Sequence, residues 1–204
     1  MRYLAKIATA ISVLGAFSVG AAQAAFIGMP MNLKAQLEHI KFETPTLAPM
    51  AHMRFCMDYP QDCRTHKIMF RSGRVKLTPK RMQDLIAINA QVNAAIRPEP
   101  NLAGLAGEKW LVSPASGDCN DYAVTKRHDL IVRGWPAQSL LLAEVVTSWG
   151  EHHLVVVVRT RNADLVIDNL NANIRPWSRT NYRWVRIQTP GNPMYWATVG
   201  DRTV

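Results

Sequence analysis

The sequence predicts an α+β fold, and three observations carry that reading. Two helix-patterned segments come first. Stretches rich in Val, Ile and Leu, separated by short polar breaks, follow from Leu140 onward. A glycine stop and a turn, Gly134-Trp135-Pro136, divide the two. Helices first and then a run of strands argues for segregated layers rather than alternating βαβ units.

In chain order, residues 1–24 read as a secretory signal peptide. Arg2 and Lys6 precede a short apolar run from Ile7 to Val19, and Ala22-Gln23-Ala24 is a small-x-small cleavage site. Thr9, Ser12, Gly15 and Ser18 interrupt that run, which falls short of the ~20 apolar residues a membrane span needs. Residues 25–204 then form one domain, long enough to bury a core without disulfides. Ala25 to Pro49 carries three prolines and reads as largely extended, with one helical turn around Leu33–Ile40. Met50 to Arg64 reads as a loop bracketed by Cys56 and Cys63. A helix follows: Thr78 is a good N-cap and Pro79 takes the first helical position. Met82, Leu85, Ile86, Asn89, Val92, Asn93 and Ile96 recur at helical spacing, and Pro98 and Pro100 stop it. Asn101 to Gly117 is a loop with Trp110 as a buried anchor. The second helix runs from about Asp118 to about Arg133, and Gly134 ends it. Leu140–Thr147, His152–Thr160, Asp164–Leu170 and Arg183–Gln188 are the expected antiparallel strands.

Composition narrows the function classes. The formal charge of +9 falls to +7 once Arg2 and Lys6 leave with the leader. A basic chain suits an anionic neighbour such as a membrane surface, a cell-envelope polymer, an acidic protein or nucleic acid, but net charge alone identifies no partner and a generally solvated basic surface is the favoured reading. The basic residues are scattered, with clusters only at Arg71-Arg74-Lys76-Lys80-Arg81 and between Arg175 and Arg186. No zinc-finger or RNA-binding motif accompanies them, so nucleic acid is not expected. No later stretch is long and apolar enough to span a bilayer; Val155 to Val158 is a buried-strand run.

Three cysteines remain in an oxidising compartment. Cys56 and Cys63 flank Tyr59-Pro60 and suit a local disulfide; the alternatives are two buried thiols or half of a metal site, with His52 and His66 near. The odd thiol, Cys119, is either an intermolecular partner, a buried inert residue or a reactive group. It opens the second helix, where unpaired N–H groups and partial positive charge favour thiolate over thiol. A cysteine nucleophile needs a base, and the base needs an orienting group. His152 and His153 start one strand and Asp168 ends the next. If Arg161-Asn162 is a two-residue turn, Thr160 faces Ala163 and Val155 faces Asp168. His153 is then the diagonal same-face neighbour of Asp168, while His152 points the other way. A one-residue change in loop length reverses that choice. Asp118, Asn120 and Asp121 beside the thiol are oxygen donors suited to a hard cation such as calcium. The favoured reading is plainer: Asp118 is an N-cap and Asp121 a first-turn acid.

These residues resemble a known family. Gly117-Asp118-Cys119-Asn120-Asp121-Tyr122-Ala123, Arg133-Gly134-Trp135-Pro136, His153-Leu154-Val155-Val156 and Val166-Ile167-Asp168-Asn169-Leu170 are similar to the bacterial transglutaminase-like cysteine proteinases, the group of the LapG-type periplasmic proteases. The resemblance covers about Trp110 to Trp177. It implies a papain-like or transglutaminase-like core, with the nucleophile helix packed on an antiparallel sheet. It implies Cys119 as nucleophile, His153 as base and Asp168 as orienting acid. It also implies calcium binding at Asp118, Asn120 and Asp121. Asn120 departs from the pattern, which has glutamate there, so calcium affinity should fall; calcium remains a candidate ligand, not a required cofactor.

The expectation is therefore a periplasmic or secreted cysteine peptidase acting on a protein of the cell envelope through an acyl-enzyme. The Cys119 backbone N–H would be one oxyanion donor. The rival readings are a transamidase or amidase on cell-wall peptides, which shares the acyl-enzyme, and a catalytically degenerate envelope-binding module.

Overall fold

The computed structural model describes residues 39–64 and 73–200. The expected signal peptide, the stretch that follows it to residue 38, His66 and Arg71 lie outside the described residues.

The strand half follows the alternation of its side chains. Strand β1 is Phe42–Thr46, and two short parallel strands, β2 at Arg97–Pro98 and β3 at Ser116–Gly117, pair with each other. The main strands are β4 (Leu140–Val146), β5 (His152–Arg159), β6 (Asp164–Ile167), β7 (Arg175–Pro176), β8 (Arg183–Gln188) and β9 (Trp196–Val199). With β1 they form a seven-stranded antiparallel sheet in the order β1-β9-β8-β4-β5-β6-β7. Both faces of its centre are covered, so β4 and β5 read as nearly continuous apolar runs. Leu140, Leu142, Val156, Val158 and Ile167 face the helices. Leu141, Ala143, Val155, Val157 and Val166 face a second apolar layer with Trp177, Trp184 and Ile187. Each such side chain removed from water contributes about 1.5–3 kcal/mol before entropy is counted.

Three helices of two turns or more occupy one face. Helix α1 is Met50–Asp58, in the stretch the sequence suggests to be a loop. Its buried residues Ala51, His52, Phe55 and Cys56 form a stripe at helical spacing, which the bracketing cysteines obscure. A 3-10 turn at Pro60–Cys63 then brings Cys63 back to Cys56, and the two form a disulfide. Helix α2, Pro79–Ala95, starts as its sequence dictates: Thr78 Oγ1 accepts from the Arg81 amide at 3.2 Å and Pro79 is the first residue. Its inward stripe is Leu85, Ile88, Asn89 and Val92, continued by Ile96, whereas Ile86 is 55% exposed. Residues 101–115 include one helical turn, α3, at Gly104–Gly107. Helix α4, Cys119–Val132, runs against β5 and α2. Gly134, at φ +86°, takes the left-handed conformation that closes it, and Trp135 returns its amide to the Leu130 carbonyl at 3.0 Å. Among the described residues no helix is long and apolar enough to cross a membrane.

Candidate active site

The sheet arm of the site is fixed by register. Thr160 donates its amide to the Ala163 carbonyl at 3.2 Å across Arg161-Asn162, and Arg159 pairs with Asp164 and Val156 with Ile167. Carrying that ladder one residue further sets Val155 opposite Asp168, as a two-residue turn requires. His153 and Asp168 therefore share a face, and His153 Nε2 lies 2.7 Å from Asp168 Oδ1. Both are 4% exposed. His152, one residue earlier, points to the opposite face, where its Nδ1 meets Glu144 Oε1 at 2.6 Å.

Three further groups hold Asp168. Tyr182 donates its hydroxyl to Oδ2, the Leu170 amide donates to Oδ1 at 2.9 Å, and Asn93 of α2 donates to the Asp168 carbonyl at 3.2 Å. Burial alone would raise the Asp168 pKa. Its hydrogen bonds to His153, Tyr182 and Leu170, together with the His153 charge, outweigh burial and hold the carboxyl below its usual range. With an ionised acceptor at Nε2, the imidazole carries its proton there and leaves Nδ1 as the basic nitrogen.

The helix arm presents Cys119 as the first residue of α4. Asp118 caps the helix by accepting the Asn120 amide at 2.8 Å, and Asp121 reaches back to the Asp118 amide at 3.1 Å. Gly117 is required here, because a Cβ at that position would stand 2.1 Å from Asp121 Oδ2. The Leu154 amide, next in the chain to His153, hydrogen-bonds the Cys119 sulfur. β5 pairs with β6 only from Val156 to Arg159, so its His152–Val155 end extends past that ladder.

The helix terminus does not by itself give a thiolate. Burial pushes the Cys119 thiol up to about 12. The Leu154 amide acts in the opposite direction, and Asp118, Glu108 and Asp168 add to the rise. Desolvation and three nearby carboxylates thus act against the helix-end field that the sequence suggests would favour ionisation. The site needs a base that acts during the reaction. Cys119 and His153 are both walls of two adjoining hollows, of about 390 and 280 Å³, which meet at the thiol.

The acids beside Cys119 are engaged by N–H donors. Asp121 takes the Leu111 amide at 2.7 Å on one oxygen and the Asp118 amide on the other. Asn120 turns its amide N–H toward Glu108 Oε1 at 2.7 Å, where Trp110 also donates at 2.8 Å. Asn120 thus meets the acidic cluster as a donor, the opposite of a cation ligand, and the three positions do not fit a preformed calcium cage. Burial, with Asp118 and Glu108 close by, raises Asp121 to about 6. Among the described residues, the group of three potential ligand atoms lying within 4.8 Å of one another is His52, Cys56 and Cys63, and there the sulfurs are joined as a disulfide. His52 instead accepts from Gln188 at 2.9 Å and is held neutral by burial.

Tyr182, Asn93, Glu108 and the Leu154 amide escaped the sequence reading. The first three reach the site from other segments with no motif to announce them, and the Leu154 amide, though next to His153, carries no sequence mark of its bond to the thiol. Trp110, expected as a buried anchor, is one and also holds Glu108.

A cysteine at a helix start, packed against a sheet that carries a histidine–aspartate pair, is the layout of the transglutaminase-like thiol hydrolases. The chain matches the bacterial transglutaminase-like cysteine proteinase (BTLCP) family over residues 42–204; it belongs to that family and is a cysteine peptidase. Among solved structures it is similar to LapG of Legionella pneumophila: 24% identity over 55% of this chain and 66% of that one, with a TM-score of 0.46. The calcium-bound form of the same protein aligns at 22% identity over 62% and 74% of the two chains, with a TM-score of 0.51. At that identity the likeness is one of fold. No curated protein matches the chain in sequence.

Proposed function

We propose that this protein is an exported peptidase that cleaves a protein of the cell envelope with Cys119, His153 and Asp168. The observation that carries the reading is the buried His153–Asp168 pair opening onto the cleft that holds Cys119. His153 Nδ1 takes the thiol proton as Sγ attacks the peptide carbonyl carbon. The oxyanion forms beside the Cys119 amide, which heads α4 and has no partner within the helix. The tetrahedral intermediate collapses, the C–N bond breaks, and His153 passes its proton to the leaving amine. Water, deprotonated by His153, then attacks the thioester, releasing a carboxylate and restoring the thiol. Asp168 keeps the ring oriented and stabilises the imidazolium. The leader-like start of the sequence and the Cys56–Cys63 disulfide both support export to the periplasm or beyond.

Calcium enters this reading only through the likeness to the calcium-bound Legionella structure. No step is assigned to it here, since Asn120 faces the acids as a donor.

The test is digestion of a peptide library prepared from envelope proteins, with new termini read by mass spectrometry. Wild-type protein should generate cuts that Cys119→Ala loses by at least about 1,000-fold. Cuts that persist in Cys119→Ala, or no cuts with either protein, would sink the reading. Added amines should appear in the products only if the acyl-enzyme is resolved by transamidation.

A further inference from the structure

The two hollows that meet at Cys119 differ in charge. The 280 Å³ hollow runs from Cys119 and His153 past the Pro98–Pro100 turn and the start of α4 to the β4–β5 turn. Its acidic walls are Glu99, Asp118 and Glu151, and no lysine or arginine among the described residues lines it. Glu99 has no hydrogen bond or ion pair to its side chain among the described residues and is exposed. Among the described residues Glu151 accepts one hydrogen bond, from Trp149 at 2.8 Å on Oε2, which leaves Oε1 open; Asp118 accepts the Asn120 and Asp121 amides of the capping box and adds its negative charge to the wall. Pro98, Tyr122 and Leu170 supply an apolar wall between these acids.

The 390 Å³ hollow on the other side also holds acids, but they are matched. Glu144 is tied to Arg186 at 2.5 Å and to His152 at 2.6 Å, and Glu108 takes the N–H groups of Trp110 and Asn120. Glu99, Glu108, Asp118, Glu144 and Glu151 make up a third of the 15 acidic residues of the chain, whereas among the described lysines and arginines Arg186 alone lines either hollow. A basic protein has placed its open negative charge beside its nucleophile. Such a cleft, walled by low-dielectric protein, focuses a field that attracts cations and repels acids.

Resting on the peptidase reading above, we propose that the Glu99–Asp118–Glu151 hollow is a substrate subsite for a lysine or arginine side chain next to the scissile bond. The aliphatic stem lies along Pro98, Tyr122 and Leu170, and the charged head reaches the carboxylates at the rim. The field of the three acids selects basic over acidic peptides during encounter as well as in the bound state. Because Glu99 and Glu151 are solvent-facing, the preference is moderate, about 5-fold or more over neutral residues, and it weakens with salt.

The experiment is cleavage-site profiling of a proteome-derived peptide library by wild-type protein, Cys119→Ala and the double variant Glu99→Gln/Glu151→Gln, at low and high salt. Lysine or arginine should be enriched about 5-fold or more at one fixed position within three residues of the cut. The double variant should reduce that enrichment to under about 2-fold while still cutting peptides with neutral residues there, and high salt should mimic it in the wild type. Cys119-dependent cutting without basic enrichment, or enrichment untouched by the double variant, overturns the subsite and leaves the peptidase reading standing. Absence of any Cys119-dependent cut overturns both.

Discussion

The two arms of the site are built on different principles. His153 and Asp168 sit where a sheet ladder puts them. Their partnership follows from side-chain alternation and the length of one turn, and three hydrogen bonds from Tyr182, Leu170 and Asn93 then lock the acid. Cys119 sits at a helix start, a position easy to read, but its chemistry is set by groups from elsewhere. Glu108 comes from the loop before the helix, Leu154 from β5, and burial comes from the packing of α4 on the sheet. The sheet arm is therefore preorganised in both geometry and charge. The helix arm is preorganised in position, while burial and the nearby acids raise its thiol rather than favour the thiolate.

The largest break in that asymmetry is on the sheet arm. Asp168→Asn should lower turnover about 10³–10⁴-fold with little change in substrate binding, because an amide can orient the wrong imidazole tautomer. Tyr182→Phe removes one of several donors to the same carboxylate. It should cost about 10-fold and shift the acid limb of the pH–rate profile upward, since Asp168 then ionises less readily. A Tyr182→Phe loss as large as that of Asp168→Asn would mean that the tyrosine does more than hold the acid.

Stability separates the arms next. Lys126, two turns along α4 from Cys119, is 1% exposed; its Nζ has no hydrogen-bond partner among the described residues and sits 5.8 Å from the Tyr122 ring. Burial pulls it down to about 7, with Asp168 acting the other way. Its folded pKa lies below the unfolded one, so the cost of burying the charge is full below pH 7 and fades as pH rises toward 10.5. Lys126→Met should raise Tm by about 2–6 °C at pH 6, and by less at pH 10, in paired thermal melts. A lowered Tm would show that the ammonium is a structural tie. The smallest expected effect is that of calcium: millimolar calcium and EGTA should give melting temperatures within about 1 °C of each other, because Asn120 already donates to both Glu108 and Asp118, and Asp121 already accepts the Leu111 and Asp118 amides. A clear calcium-dependent rise would show that Asn120 can turn its oxygen to a cation.

How much of this was legible in the sequence follows the same division. Strand parity is arithmetic on a period of two, so His153 could be chosen over His152 before any coordinates. Helix caps are equally local: Thr78-Pro79 and Asp118 mark their helices by type and position. Helix α1 was hidden because the paired cysteines drew the stretch toward a loop, although its Ala51, His52, Phe55 and Cys56 stripe is there to be counted. Ile86 stands in the same helical spacing but is exposed, and the structure buries Ile88 instead, because a wide apolar stripe has no sharp boundary in the sequence. Strands β7 and β9, at or near the sheet edge, are only two and four residues long and too short to leave a pattern. Tyr182, 14 residues beyond Asp168, touches it only because the chain folds back through β7 and the turn at Trp177–Arg179. Such contacts belong to tertiary structure and leave no spacing to find. The Cys119 environment failed for the same reason: the helix end is local, but the opposing acids and the burial are not.

The central claim is that His153, and not its exposed neighbour, draws the proton from a buried thiol. The most direct measurement is the rate of iodoacetamide labelling of Cys119 at pH 7, read by mass spectrometry on wild type, His153→Ala and His152→Ala. His153→Ala should slow labelling about 100-fold or more while His152→Ala stays within about 2-fold of wild type. Equal rates in all three proteins, or a loss confined to His152→Ala, would contradict the account.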